Sequence, residues 1–155
     1  PVTVIRLPNV YGPRACINSS EFNFVNYFIG LALQNKTITV YGQGDQLRNV
    51  VYVDDAVEAL LLGAQTRSAI GEVFIACGQE HFSVKKIAEN IVETFDMGNV
   101  KMVRWPRARK ATEVGDAVFT DKKITQLLGW KQKTAFEIGL EKTYRFYKTR
   151  LKEYL

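Results

Sequence analysis

Cysteine, histidine and long apolar runs are all scarce in this chain, and each scarcity excludes something. Of 155 residues only two are cysteines, Cys16 and Cys77, and they form no C-x-x-C pair. They read as free thiols, which argues against a disulfide scaffold or a thiolate metal site. Histidine occurs once, as His81 in a loop, and reads as exposed and inert. No apolar stretch approaches the roughly 20 residues that a membrane span requires. The start carries no secretory signal pattern, and there is no internal repeat or low-complexity segment. A cytosolic globular domain without membrane contact is the expectation.

What is present is ordinary for such a domain: 46% hydrophobic and 24% charged residues, enough chain for one real core. The net charge of +5 admits a polyanion or an anionic small molecule. The basic residues are scattered, with clusters only at 104–110 and 142–152. The second lies on an expected helix with Glu141 and Glu153 and reads as a solvated face. General nucleic-acid binding is therefore not expected.

Strand and helix signals alternate. Pro1–Leu7 is short, apolar and β-branched and reads as a buried strand, followed by turn chemistry at 8–13. A chain that opens inside a strand reads as part of something longer. A helix is expected over 21–35, a strand over 37–41 ending at Gly42-Gln43-Gly44-Asp45, and a strand over 48–53. Asp54 or Asp55 is expected to cap a helix over 56–65 with Val57, Leu60, Leu61 and Ala64 on one face. A strand over 72–77 follows, then a helix over 84–95 capped by Ser83. After a strand over 101–105 comes a polar loop to about 115. A short helix over 122–128 ends at Gly129, and a last helix covers 136–151. About five strands among these helices predict an α/β chain with some parallel pairing. They suit part of a sheet plus a helical cap better than a complete doubly wound domain.

Four segments carry a resemblance. Arg6 to Arg14 reads R-L-P-N-V-Y-G-P-R. Thr39 to Asp55 reads T-V-Y-G-Q-G-D-Q-L-R-N-V-V-Y-V-D-D. Gly71 to Ser83 gives a strand, a turn and a capped helix, and Leu128-Gly129-Trp130 precedes the final helix. In this order and spacing they resemble the extended short-chain dehydrogenase/reductases. Within these they are similar to the NAD-dependent nucleotide-sugar epimerases and dehydratases, of the UDP-glucose 4-epimerase and dTDP-glucose 4,6-dehydratase kind. The resemblance covers nearly the whole chain and does not choose between those activities.

It implies that residues 1–155 are a C-terminal, substrate-binding portion: the end of a Rossmann-type NAD(P)-binding fold plus a small mixed α/β substrate-binding domain. The Gly-rich NAD loop and the catalytic Tyr-x-x-x-Lys pair would lie in an N-terminal half that these residues do not contain. That half would be this portion's partner, and the parent would be a cytoplasmic homodimer binding NAD and a UDP- or dTDP-hexose. Tyr144 and Lys148 spell Tyr-x-x-x-Lys, but on the terminal helix and downstream of Asn9, where the family's pair lies upstream. They read as a packed aromatic and a solvated lysine.

The residues implied as functional are few. Leu7 and Pro8 would border the nicotinamide; on sequence alone they are strand end and turn. Asn9 would donate to a phosphate or sugar oxygen, or simply tie the turn. Thr39, Val40 and Tyr41 would wall the nucleobase, or be an ordinary strand. Arg48 could fork onto a diphosphate. The family pattern usually continues with Asp; Asn49 removes that carboxylate as a partner for Arg48. A second diphosphate arginine is usual just before Gly-Asp. Here Thr112 and Glu113 fall near that place, and Arg109 is taken as the substitute, with Arg107 and Lys110 nearby. Asp121-Lys122-Lys123 is one residue shorter than the usual helix start. Asp55 reads as a cap. A non-catalytic nucleotide-sugar-binding module is the alternative to part of an enzyme.

Overall fold

Short β-branched runs separated by Gly, Pro and Asn produce short strands, and the fold is assembled from pairs of them. The computed structural model describes residues 1–155. Its elements are β1 (Val4–Arg6), β2 (Asn9–Tyr11), α1 (Phe24–Leu33), β3 (Thr37–Tyr41), β4 (Leu47–Arg48), β5 (Val50–Tyr52) and α2 (Val53–Gln65). There follow β6 (Val73–Ile75), β7 (Phe82–Ser83), α3 (Val84–Phe95), β8 (Asn99–Val103), α4 (Arg107–Ala111), α5 (Lys122–Leu128) and α6 (Phe136–Tyr147). β1 pairs with β6, β2 with β5 and β3 with β8, all parallel; β4 and β7 pair antiparallel. The chain is α/β with parallel pairing, as expected, but it has eight short strands rather than about five.

Two cores form. The larger packs α1, α3 and α6 on β2, β3 and β5 through residues such as Ile29, Ile38, Ile87, Ile91, Phe136 and Leu140. The smaller gathers Ala59, Phe74, Ala76, Ile124 and Trp130 between α2, β6 and α5. No helix is long and apolar enough to cross a membrane.

The opening segment differs from its expectation. It is a strand only over Val4–Arg6, and it is not buried: Val2 and Val4 are exposed. Pro8 lacks an N–H and interrupts pairing. The chain then re-enters a ladder against a different partner, with Asn9 opposite Val50, where a turn was expected. β1 has β6 on one side and no strand on the other, so its second edge is open.

The expected strand over 48–53 is two, broken at Asn49. Helix α2 starts at Val53, and its N-cap is Tyr52 with no side-chain bond. Neither Asp54 nor Asp55 caps it. The apolar stripe of α2 also faces the other way: Val57, Leu60 and Leu61 are 48%, 47% and 53% exposed, while Ala56, Ala59 and Gly63 are buried. Small residues let the helix approach the sheet closely, and Gly63 sits against Ile5. β8 lies two residues earlier than expected, the 104–115 loop contains the exposed turn α4, and the last helix ends at Tyr147.

Helix α1 is shorter at both ends than its expected 21–35, and Asn23, not read as a cap in the sequence, caps it by accepting from the Val25 N–H at 2.9 Å. Other signals hold. Ser83 caps α3 by accepting from the Lys86 N–H at 3.1 Å. Gly129 ends α5 at φ 71°. Both cysteines are free, Cys16 exposed and Cys77 buried. Burial, then the nearby Asp121 charge, push the Cys77 thiol up to about 11. Because the thiolate is the nucleophile, iodoacetamide at pH 8 is expected to label Cys16 in the native protein and Cys77 only in denaturant. Native labelling of Cys77 by peptide mass analysis would contradict this packing.

Candidate functional site

A parallel pair ends with its side chains and loops aimed one way, and the ends of β3 and β8 do this over α1. Val103 O accepts from the Gly42 N–H at 2.8 Å, which fixes the turn after Tyr41 beside the exit of β8. Gly42 takes φ 66°, and a Cβ there would fall on the Trp105 indole. Glycine therefore lets Trp105 lie close, with its ring 5.2 Å from that of Tyr41 at 39°.

The result is a cavity of about 500 Å³, a size suited to a small organic ligand. One wall is aromatic: Tyr41 and Trp105, with Phe24, Tyr27 and Phe28 from α1. Thr37, Thr39 and Val40 form the strand wall, and Gln46, Arg48, Arg109, Thr112 and Glu113 form the polar end. Five of the sequence-selected residues, Thr39, Val40, Tyr41, Arg48 and Arg109, thus line one space. Leu7, Pro8 and Asn9 lie outside its lining. The first two join β1 to β2, with Leu7 exposed and Pro8 half-buried. Tyr144 is also outside, packed on Phe95 at 5.1 Å, with Lys148 over its outer face.

Arg48 is held firmly. Its Nη1 donates to Leu47 O at 2.8 Å and Gly115 O at 2.6 Å; its Nη2 donates to Glu113 Oε1 at 3.1 Å. The carboxylate that Asn49 cannot supply comes from Glu113, 65 positions on. Glu113 Oε1 also accepts from the Gly115 N–H at 3.0 Å. The loop is pinned further where Asp116 Oδ1 accepts from the Leu47 N–H at 2.8 Å and Leu47 O accepts from the Ala117 N–H at 3.0 Å.

Asn49 is fully buried and ties three segments. Its Nδ2 donates to Gly78 O at 2.8 Å and, more weakly, to Glu80 O at 3.4 Å; its Oδ1 accepts from the Phe119 N–H at 2.8 Å. Its own carbonyl accepts from Asn9 Nδ2 at 3.0 Å. Asp55 is a second buried tie. It accepts from the Thr134 N–H at 3.0 Å and the Lys133 N–H at 3.3 Å, and its carbonyl takes the Trp130 Nε1–H at 3.0 Å. It is thus a tertiary anchor in the first turn of α2 rather than a cap. Tyr11 donates to Phe136 O at 3.1 Å, and its burial pushes the phenol far above its ordinary range. The hydroxyl ties β2 to the start of α6.

Trp105, Gln46 and the α1 aromatics escape a reading by motif. The only sequence signal for Trp105 is an aromatic at a strand exit followed by proline. Gln46 lines the cavity, and its Oε1 is buried without a hydrogen-bond partner.

Residues 1–77 match the model of the NAD dependent epimerase/dehydratase family. The chain is 33% identical over 142 residues to UDP-glucuronic acid decarboxylase 4 of Arabidopsis thaliana, covering 90% of this chain and 30% of that one. The structure of UDP-glucose 4-epimerase from Thermotoga maritima, solved with UDP-glucose, superposes with a TM-score of 0.85 at 29% identity over 96% of this chain and 46% of that one. An epimerase from Methanothermobacter thermautotrophicus gives a TM-score of 0.88 at 25% identity, over 99% and 45%. The chain therefore spans less than half the length of each of these relatives.

Proposed function

We propose that this chain, which belongs to the NAD-dependent epimerase/dehydratase family, is the nucleotide-sugar-binding portion of an enzyme acting at C4 of a UDP- or dTDP-hexose. The observation that carries this reading is one cavity lined by both an aromatic cluster and two guanidiniums. A nucleobase is planar and stacks on aromatic faces; a diphosphate is recognised by guanidinium forks. Thr39, Val40 and Tyr41 then wall the base, while Arg48 and Arg109 meet the diphosphate. Asn9 keeps one amide hydrogen on the Asn49 carbonyl and offers the rest of its amide to the sugar. Binding remote from the reacting carbon supplies positioning energy.

NAD fits these residues only at its border. Leu7 and Pro8 follow a parallel strand at its C-terminal end, where dinucleotides lie in open α/β sheets, and they would edge the nicotinamide. The chain offers no Gly-rich turn opening a helix for the pyrophosphate: Gly42-Gln43-Gly44 leads into β4. When bound, NAD supplies hydride acceptance from C4 and its return. The residues here bind and orient the sugar nucleotide. The pyrophosphate loop and the Tyr-x-x-x-Lys base would come from an N-terminal half of a cytoplasmic, homodimeric parent. Without them the chain is expected to perform no turnover.

Trp105 provides the test. UDP-glucose or dTDP-glucose should quench its fluorescence saturably, while buried Trp130 stays unaffected. Tyr41→Ala should weaken binding about tenfold, since stacking contributes ~1–3 kcal/mol per base. Trp105 emission indifferent to millimolar nucleotide sugar would sink the reading.

A further inference from the structure

The cavity's positive end is half neutralised by one side chain. Glu113 and Arg48 are 25% and 13% exposed at their side chains and 3.1 Å apart. Both line the cavity, as does Arg109. Two guanidiniums and one carboxylate leave a single net positive charge where a diphosphate brings two or more negative ones.

Whether Glu113 helps or hinders an anion depends on what it does for Arg48. A brace would hold the guanidinium in place. But Nη1 is already clamped between the Leu47 and Gly115 carbonyls at 2.8 and 2.6 Å, and two acceptors on one nitrogen fix the plane of the group. Removing the third partner leaves that clamp intact. Charge therefore outweighs posture. A carboxylate within a few ångströms of an incoming phosphate, in a partly desolvated site, disfavours it by about tenfold or more.

The segment bearing Glu113 is built so that the carboxylate can leave. Arg107 to Thr112 are exposed throughout. Gly115 holds φ 70° with open space where a Cβ would sit, and its N–H bonds the same carboxylate that leaves. The anchors at Asp116 and Ala117 onto Leu47 lie beyond that glycine, so the far side stays pinned while residues 112–114 move. The leaving carboxylate also frees Oε1 from the Gly115 N–H, which water replaces at this exposed position.

We propose that Glu113 is a charge-selecting residue of the cavity: it holds the Nη2 edge of Arg48 and a nucleoside diphosphate binds by displacing it. The inference rests on the reading of the cavity as a nucleotide-sugar site. It makes the polar end discriminate against weakly held anions, because only a ligand whose base also fills the aromatic wall gains enough to evict the carboxylate.

The test uses the natural chain that contains these residues, titrated calorimetrically with UDP and with uridine. Glu113→Gln should bind UDP about tenfold tighter than the wild type, and uridine equally well. Glu113→Ala should do the same, and Glu113→Asp, which keeps the charge, should stay near the wild type. If the wild type binds UDP but the Gln and Ala variants bind it equally or more weakly, Glu113 is a brace and the proposal is wrong. Tightening for uridine as well as UDP would also overturn it, since the gain would not be one of charge. If no protein binds either probe, the nucleotide reading of the cavity falls first, and this inference with it.

Discussion

Asn49→Asp lowers stability by about 3 kcal/mol or more at pH 7, an expected result out of proportion to a change of one atom. The Asn49 side chain is fully buried, with two donor contacts to carbonyls at 78 and 80 and one acceptor contact from the Phe119 N–H. An aspartate keeps the acceptor and loses both donors. It then aims a buried negative charge at two carbonyl oxygens, and each unsatisfied buried group costs about 1–3 kcal/mol. A protonated carboxyl restores one donor, so the deficit shrinks at pH 4 relative to pH 7. Asn49→Ala removes the same bonds without adding charge and is expected to lose less than Asp at pH 7. Urea unfolding followed by circular dichroism checks the order. An Asp variant as stable as the wild type would mean that the donors to Gly78 and Glu80 contribute nothing. The resembled signature usually carries aspartate here; in this chain Arg48 takes its carboxylate partner from Glu113 instead, and the Asn49 amide bonds the Gly78 and Glu80 carbonyls.

That exchange shows where reading the sequence succeeds and where it stops. Signals confined to a few neighbouring residues were legible. The β-branched run of β3, the Ser83 cap of α3 and the Gly129 stop of α5 each carry their cause locally. β2, β4 and β7 have two or three residues each, and nothing in so short a segment specifies pairing; the partner strand does. The stripe on α2 misled for a related reason. Periodicity identifies two faces of a helix but not which one the sheet takes. Here close approach favoured Ala59 and Gly63 over Leu60 and Leu61. Among the residues that line the cavity, Thr39 to Tyr41, Arg48 and Arg109 were selectable through the signature they resemble or their nearness to it. Glu113 was noticed only as a departure. Its pairing with Arg48 spans 65 residues and is invisible until the loop is folded back. Trp105 has no motif, and its place in the cavity wall comes from the room that Gly42 leaves.

Glycine inside helices gives the second large effect, because two influences oppose each other. Gly30, Gly63 and Gly139 all sit within α1, α2 and α6, where alanine would gain about 1 kcal/mol in helix propensity. Each is also a point of close approach, and the identity of the neighbour decides which influence wins. A Cβ on Gly30 would fall on the main-chain carbonyl of Ile17, a fully buried residue. Backbone cannot step aside without moving the segment that leads into α1. A Cβ on Gly139 would fall on the Tyr11 hydroxyl, with the ring carbons at 2.7 and 3.0 Å. That ring is wedged edge-on between Tyr52 and Phe136 at 5.7 and 5.1 Å, and its hydroxyl is bonded to Phe136 O, so it has nowhere to rotate. On Gly63 the nearest atom is the Ile5 Cδ1 at 2.7 Å, the free end of a side chain on a half-open strand, which can change rotamer. Gly30→Ala is therefore expected to destabilise by about 3 kcal/mol or more, Gly139→Ala by a similar amount, and Gly63→Ala by less than about 1 kcal/mol. Denaturant midpoints of the three variants give the comparison directly. A stabilised Gly30→Ala would mean that propensity governs and that the Ile17 carbonyl is not held against the helix. A Gly63→Ala variant as damaged as Gly30→Ala would mean that β1 is fixed as rigidly as the buried core, against the open edge that the strand pairing leaves it.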